Sequence, residues 1–305
     1  MTRTLLLQSL ALILVPALRL FAADADTTAR TEELEAAKKK LTAQSHRLQY
    51  RFSPGETYRT KVVHLVTVET KIQGVFETAK TRSASVKAWK ITDVDSAGNV
   101  TFTYTVEEAS MWQQLSDRQE IRYDSSKSEE PPVEYKHVAE TIGVPMATVK
   151  IAPSGQIIER KNARAQFNPG IGELTVPFPD QPVRVGQSWS TEGQLPVRMP
   201  DKTVLQIKTR QEYTLEGVST GVAKIAVRTQ ILTPVNDPAV QSQLVQRIKK
   251  GEIRFDVDAG RVLSQQMDID ETVIGFSGAD SIMKYLARLT EEVVKQESVA
   301  RVPAK

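Results

Sequence analysis

The chain reads as a mainly β protein: two similar antiparallel β units, curved sheets or half-barrels, with a few short helices. Three observations predict this. From Leu48 onward apolar and polar side chains alternate with a period of two, the rhythm of strands rather than helices. Gly-, Asn- and Asp-rich turns separate the runs. The same order of runs then recurs in the second half of the chain.

The first 23 residues lie outside that pattern. Arg3 precedes an apolar run from Leu5 to Leu18, and small residues come next at Ala22, Ala23 and Ala25. This is the three-part layout of a secretory signal, and the run is shorter than the roughly 20 apolar residues a spanning helix needs. Residues 1–23 are thus expected to direct export to the periplasm or beyond and to be removed. With no cysteine, the mature chain has no lipidation thiol and no disulfide, so a packed core must stabilise it. Loss of Arg3 and Arg19 leaves 38 basic residues against 37 acidic ones. That balance gives no electrostatic case for nucleic acid or an anionic membrane, and no stable anchor is expected after cleavage.

Residues 29–46 predict a short polar helix, with Leu34, Ala37 and Leu41 on one face. The first β unit spans 48–160. Val62, His64, Val66 and Val68 alternate with Val63, Leu65 and Thr67, a strand with two fairly apolar faces. Val86–Ile91 and Val100–Val106 form a hairpin across Asp95-Ser96-Ala97-Gly98-Asn99, with Val100, Phe102, Tyr104 and Val106 on its buried face. Pro131-Pro132 introduces a helix over Val133–Ile142. Residues 161–182 form a connector whose prolines cannot donate to a ladder.

The second unit spans 183–297. Phe52–Tyr58 aligns onto Val183–Trp189, the Trp89/Phe102 hairpin onto Tyr213-Thr214-Leu215 and Ala223/Ile225/Val227, and the turn at Gly155 onto that at Gly260. Asn236 is placed to cap a helix with Pro238 in its first turn and Gly251 past its end; Val240, Leu244, Val245 and Ile248 form its apolar stripe. Residues 261–273 return to alternation. Residues 282–294 fit either period and are assigned as a strand, paired back through the loop Gly275–Ser281. Residues 298–305 read as a disordered tail.

The Pro-Gly-Glu-x-Tyr entry at 54–58, the block from Trp89 to Met111 and the run from Thr233-Pro234-Val235-Asn236-Asp237-Pro238 through Gly275–Asp280 carry a family resemblance. On these residues the chain resembles a group of secreted bacterial β-rich proteins forming a domain of unknown function, over residues 48–295. The resemblance implies a cell-envelope location and brings no catalytic residues.

No residue pattern specifies a reaction, and none calls for a cofactor. His46, His64 and His137 show no ligand spacing, and there is no Gly-x-Ser-x-Gly elbow, phosphate loop or dinucleotide fingerprint. The oxygen-rich loops with Asp93 and Asp95, and with Asp256 and Asp258, resemble calcium loops but lack the distal bidentate acid; aspartate before glycine is also ordinary turn chemistry. Trp112 before a polar loop, and Phe276 and Ser277 in the loop 275–280, are the candidate ligand contacts, while Trp89 and Trp189 belong in the core. Together these features point to a non-catalytic binding module for an apolar or polymeric ligand or a protein partner. Such a module predicts a large apolar cavity between helix 237–250 and the sheet. A hydrolase using carboxylates among Asp256, Asp258, Asp268 and Asp270, or an assembly role through exposed strand edges, are the alternatives.

Overall fold

The computed structural model describes residues 30–31, 44–127, 130–162, 175–199 and 201–294. The signal segment, nearly all of the 29–46 helix, the middle of the connector and the tail lie outside the described residues. Contacts divide the chain between Gln44 and Ser45, and the part from Ser45 onward is a unit of its own. Among the described residues no helix is long and apolar enough to cross a membrane.

The unit from Ser45 onward is mainly β, as the alternation predicted. Its strands are β1 (Ser45–His46), β2 (Thr57–Ile72), β3 (Val75–Val94), β4 (Val100–Leu115), β5 (Ile121–Asp124), β6 (Pro145–Ile151) and β7 (Ile157–Asn162). Then come β8 (Val183–Arg184), β9 (Ser188–Arg198), β10 (Val204–Ser219), β11 (Val222–Ile231), β12 (Lys250–Asp256), β13 (Arg261–Ile274) and β14 (Ile282–Val293). One large antiparallel sheet runs β7-β6-β4-β3-β2-β14-β13-β12-β11-β10-β9, with β5 on the far half of β4, while β1 and β8 pair separately. Consecutive hairpins thus lie side by side, and β14 joins the two stretches by pairing with β2. The ambiguous segment 282–294 is a strand because Met283, Tyr285 and Leu289 fall on one buried face between two long neighbours.

Register divides the sheet into two faces. On the inner one, Tyr58 opposes Trp89, which opposes Tyr104; in the other stretch Phe255, Ala223 and Tyr213 share it. These residues belong to one apolar core fed by both stretches. Trp89 stacks on Phe102 at 4.3 Å, Trp189 stacks on Tyr213, and Phe178 meets Phe255 edge-on at 4.6 Å. The end of the connector is therefore part of this core, since Val176 and Phe178 are buried in it.

The segment 48–52 fastens the two stretches. Tyr50 N–H donates to the Pro153 carbonyl, and Arg51 N–H to that of Gly260. These carbonyls belong to the β6–β7 and β12–β13 turns, one from each stretch. Both turns carry glycine at positive φ, +80° at Gly155 and +66° at Gly260, and the segment packs onto the space a side chain would take. A Cβ at Gly155 would lie 2.6 Å from the Tyr50 ring, and one at Gly260 2.7 Å from Gln49 O and Arg51 N.

The helices are shorter than expected. Val133–Tyr135 is a single 3₁₀ turn leading into α1 (Lys136–Ala139). The second helix, α2 (Pro238–Leu244), is capped by Asp237 rather than Asn236. Proline prefers the first helical position, so the residue just before it becomes the cap, and the Asp237 carboxylate accepts from Ala239 N–H at 2.8 Å. Gly251 is no helix stop: it lies in β12, where the Gln266 carbonyl of β13 approaches too closely for any Cβ.

Two variants separate backbone strain from clamp packing. Gly74 also has positive φ (+82°) but nothing near its missing Cβ. Gly74→Ala should cost about 1 kcal/mol, and Gly260→Ala roughly 2–3 kcal/mol or more, read from urea midpoints. Equal losses would mean that contact with residues 49–51 contributes nothing.

Candidate functional site

The face opposite the core carries the charged side chains, and it is concave in two adjoining places. Over β10–β13 lies an open trough of about 850 Å³, and over β13, β14, β2 and β3 a second of about 840 Å³. They share Lys250, Gly251 and Asp268, so they form one continuous strip across the middle of the sheet. Each is of the size that binds small ligands, but lies open to solvent along its length.

The first trough is lined by a cross-strand ion-pair ladder. Arg228 donates to Glu212 at 2.7 Å and Lys224 sits between Glu216 and Glu252 at 2.9 and 3.1 Å, while Arg254 meets Glu252 along β12 itself at 3.3 Å. Opposite charges on neighbouring strands fall close enough to pair because facing Cβ atoms are about 5 Å apart. Hydrogen bonding to Glu216 and Glu252 holds the Lys224 ammonium above its ordinary pKa. Exposed pairs of this kind add little stability; their effect is to hold charged groups in fixed rows along the floor.

The second trough is less polar. One outer-face row across four strands reads Asp268, Arg288, Leu65, Arg82, and Trp112 on β4 completes it. Leu65 is exposed in spite of its size, and Leu286 and Trp112 are half-buried along the same strip. The Asp268 carboxylate accepts from Arg288 at 2.5 Å and from the Gln266 amide at 2.7 Å. The Arg288 hydrogen bond, with a smaller contribution from that of Gln266, pulls the Asp268 carboxyl below its ordinary value of 3.8. Of the sequence-predicted contacts, Trp112 alone lines this strip. Leu65 gave a signal in the doubly apolar β2 pattern; Leu286, Lys250 and Arg288 gave none.

Phe276 and Ser277 stand elsewhere, in the loop between β13 and β14. Phe276 packs against Val273, Met283 and Tyr285, and Ser277 N–H donates to Ser281 Oγ, which donates on to the Gly278 carbonyl. They do not join Trp112 in one site. Where α2 packs, side chains occupy the space in which the sequence predicted a large apolar cavity under helix 237–250. Val240 and Leu244 pack on Val197 and Ile207, Val245 and Ile248 pack on Ile269 and Tyr285, and the void near Lys249 holds only about 20 Å³. The helix is short enough to settle fully onto the inner face.

The oxygen-rich loops are turns. Asp95 accepts from Ala97 N–H, from the Asn99 backbone and side-chain amides, and from Lys150 at 2.9 Å. Led by the Lys150 bond, these push its carboxyl far below the usual range. Asp256 accepts from Asp258 and Ala259 N–H groups, while Asp93 and Asp258 are exposed. Among the described residues no group of three His, Cys, Asp or Glu side chains is placed to hold a metal. Asp256 and Asp258 sit at the β12–β13 turn, whereas Asp268 pairs level with the far end of β12. At about 3.4 Å per residue they lie roughly 20 Å apart, beyond the 5–10 Å of a glycosidase pair. Asp268 with Asp270 is closer, but Arg288 moves the Asp268 pKa opposite to that of a general acid. His64 faces inward, and burial lowers its pKa.

No family model matches the chain, and no curated protein sequence matches it. Among solved structures, one titled "Lipid-protein interactions in lipovitellin" is similar with a TM-score of 0.44 and 11% identity, over 80% of this chain. The chain spans only 26% of that structure's length. The translocator domain of autotransporter NalP from Neisseria meningitidis is similar with a TM-score of 0.22 and 7% identity, over 88% of this chain and 97% of the domain.

The Asp268–Arg288 pair sets a pH signature. A carboxyl whose folded pKa is depressed stabilises the fold above its unfolded value, and that contribution is lost as pH falls through the folded value. In an NMR titration Asp268 should titrate below 3.8, and Arg288→Ala should return it towards that value. An unchanged titration in the variant would remove Arg288 from the strip's electrostatics.

Proposed function

We propose that the chain is an exported cell-envelope protein that binds an extended glycan along the outer-face strip, without catalysing a reaction. The observation that carries this reading is the set of apolar side chains Trp112, Leu65 and Leu286 along one strip, with Arg82 between Leu65 and Trp112, flanked by the ion-paired Asp268–Arg288 and continuous with a charged trough. Sugar rings offer an apolar face that packs on indole and leucine, and hydroxyls that hydrogen-bond to carboxylates, amides and guanidinium groups. An open strip admits a long chain passing through, whereas a small ligand is normally enclosed over most of its surface. An apolar ligand is less well supported, because α2 occupies the apolar inner face over β9, β10 and β13. The leader-like residues 1–23 support export, and an exported chain would meet envelope polymers.

Depletion of the protein from solution by insoluble envelope glycan tests this directly. Trp112→Ala should weaken retention about tenfold, as expected for loss of one aromatic platform. Ser96→Ala, in the exposed β3–β4 turn, should leave it unchanged. Equal retention of Trp112→Ala and the parent, or no retention of the parent, would remove the reading.

A further inference from the structure

A second surface lies at the tips of two neighbouring hairpins, apart from the Trp112 strip. Pairing of β13, β14, β2 and β3 sets Ile274, Ile282, Lys71 and Phe76 in one cross-strand row on the outer face. Phe76 is 74% exposed, Ile274 66% and Ile282 39%, and Val75 beside the β2–β3 turn is 62% exposed. The Lys71 ammonium lies 5.2 Å from the centre of the Phe76 ring, its alkyl stem running along the apolar row. The next row down is polar, Thr272, Lys284, Glu69 and Thr78. An apolar edge thus gives way to a polar collar within two residues, roughly 7 Å along the strands.

We propose that these hairpin tips dock the protein reversibly on a bilayer of zwitterionic headgroups, with Phe76, Val75, Ile274 and Ile282 entering the headgroup–acyl boundary. The layering fits that boundary, where apolar groups of peripheral proteins sit about 5–10 Å deep beneath a polar zone. Charge fits as well. Lys71 and Lys284 stand beside Glu69, Glu77 and the exposed Asp280 of the β13–β14 loop, a collar of both signs with no basic excess, suited to zwitterionic rather than anionic headgroups. Area disfavours a protein partner, since four side chains on two hairpin ends expose on the order of 400 Å², about half of what one side of a stable interface buries. The tips share the outer face with the strip: the trough row of Asp270, Leu286, Thr67 and Lys80 lies two rows away. Docking would hold the strip about 14 Å above the acyl boundary, facing along the membrane surface.

The absence of cysteine allows a clean test on the full chain. Phe76→Cys carrying an environment-sensitive fluorophore is compared with Ser96→Cys, at the opposite end of β3, on phosphatidylcholine vesicles. The label at 76 should shift to the blue and be quenched by brominated lipid, and the label at 96 should not. In the unlabelled chain, Phe76→Ser with Ile274→Ser should weaken vesicle flotation about tenfold or more. Both positions are exposed, so the fold should be retained, as circular dichroism would verify. Three results would overturn docking. They are no shift at 76, equal flotation of the serine variant, and a label at 76 already shielded before lipid is added, by a second copy or by the chain's own ends. Glycan retention is indifferent to these substitutions, so failure here leaves the Trp112 reading standing and the reverse also holds.

Discussion

The backbone of Gln49–Arg51 lies against two glycine turns, and the rest of the structure depends on that contact. One turn closes β6–β7 and the other β12–β13, which lie far apart in the order of strands. Hydrogen bonds from Tyr50 to Pro153 and from Arg51 to Gly260 bring them to one segment. Val176 N–H donates to the Tyr50 hydroxyl, which adds the connector to the same clamp. An antiparallel sheet this wide would otherwise leave its apolar face open to water. Fastened so, its inner faces meet, and Trp89, Phe102, Tyr213 and Phe255 pack as one core.

This arrangement has two consequences for function. The inner face is used for stability. Aromatic packing fills one end, and α2 with the residues just after it covers part of the remainder through Val240, Leu244, Val245 and Ile248. In the proposed reading, recognition falls to the outer face and the strand ends. There the ion-pair ladder, the Trp112 platform and the exposed hairpin tips stand on long paired strands rather than on loops, and rigid strands hold side chains in fixed rows. Asp268 belongs to both troughs, and its bond to Arg288 ties β13 to β14 where the two meet.

Much of the fold was legible because strand parity is local. Val100, Phe102, Tyr104 and Val106 are all buried, as their alternation required, and the Asp95–Asn99 turn joins β3 to β4. In 282–293, Ile282 and Leu286 face outward while Met283 and Tyr285 are buried, a period of two that the helical reading could not accommodate. What was not legible is nonlocal. Gly155 and Gly260 looked like ordinary turn glycines, and nothing nearby in sequence told of Tyr50 and Arg51 packing onto them. Leu65 belonged to a strand apolar on both faces and Leu286 gave no signal, since composition does not reveal that an apolar residue lines an open trough. The filled space beneath α2 depended on how deeply a seven-residue helix settles, which periodicity does not report. Trp112 was found because an aromatic beside glutamines, at the end of a strand, has no core of its own.

Hydrogen exchange of individual backbone amides tests the clamp most directly. The amides of Tyr50 and Arg51 are predicted to exchange only through global unfolding, with the same free energy as the buried amides of Phe102 and Phe255. Exchange of Tyr50 and Arg51 at much lower free energy, or separate free energies for the β2–β7 and β9–β14 amides, would contradict a single core closed by this segment.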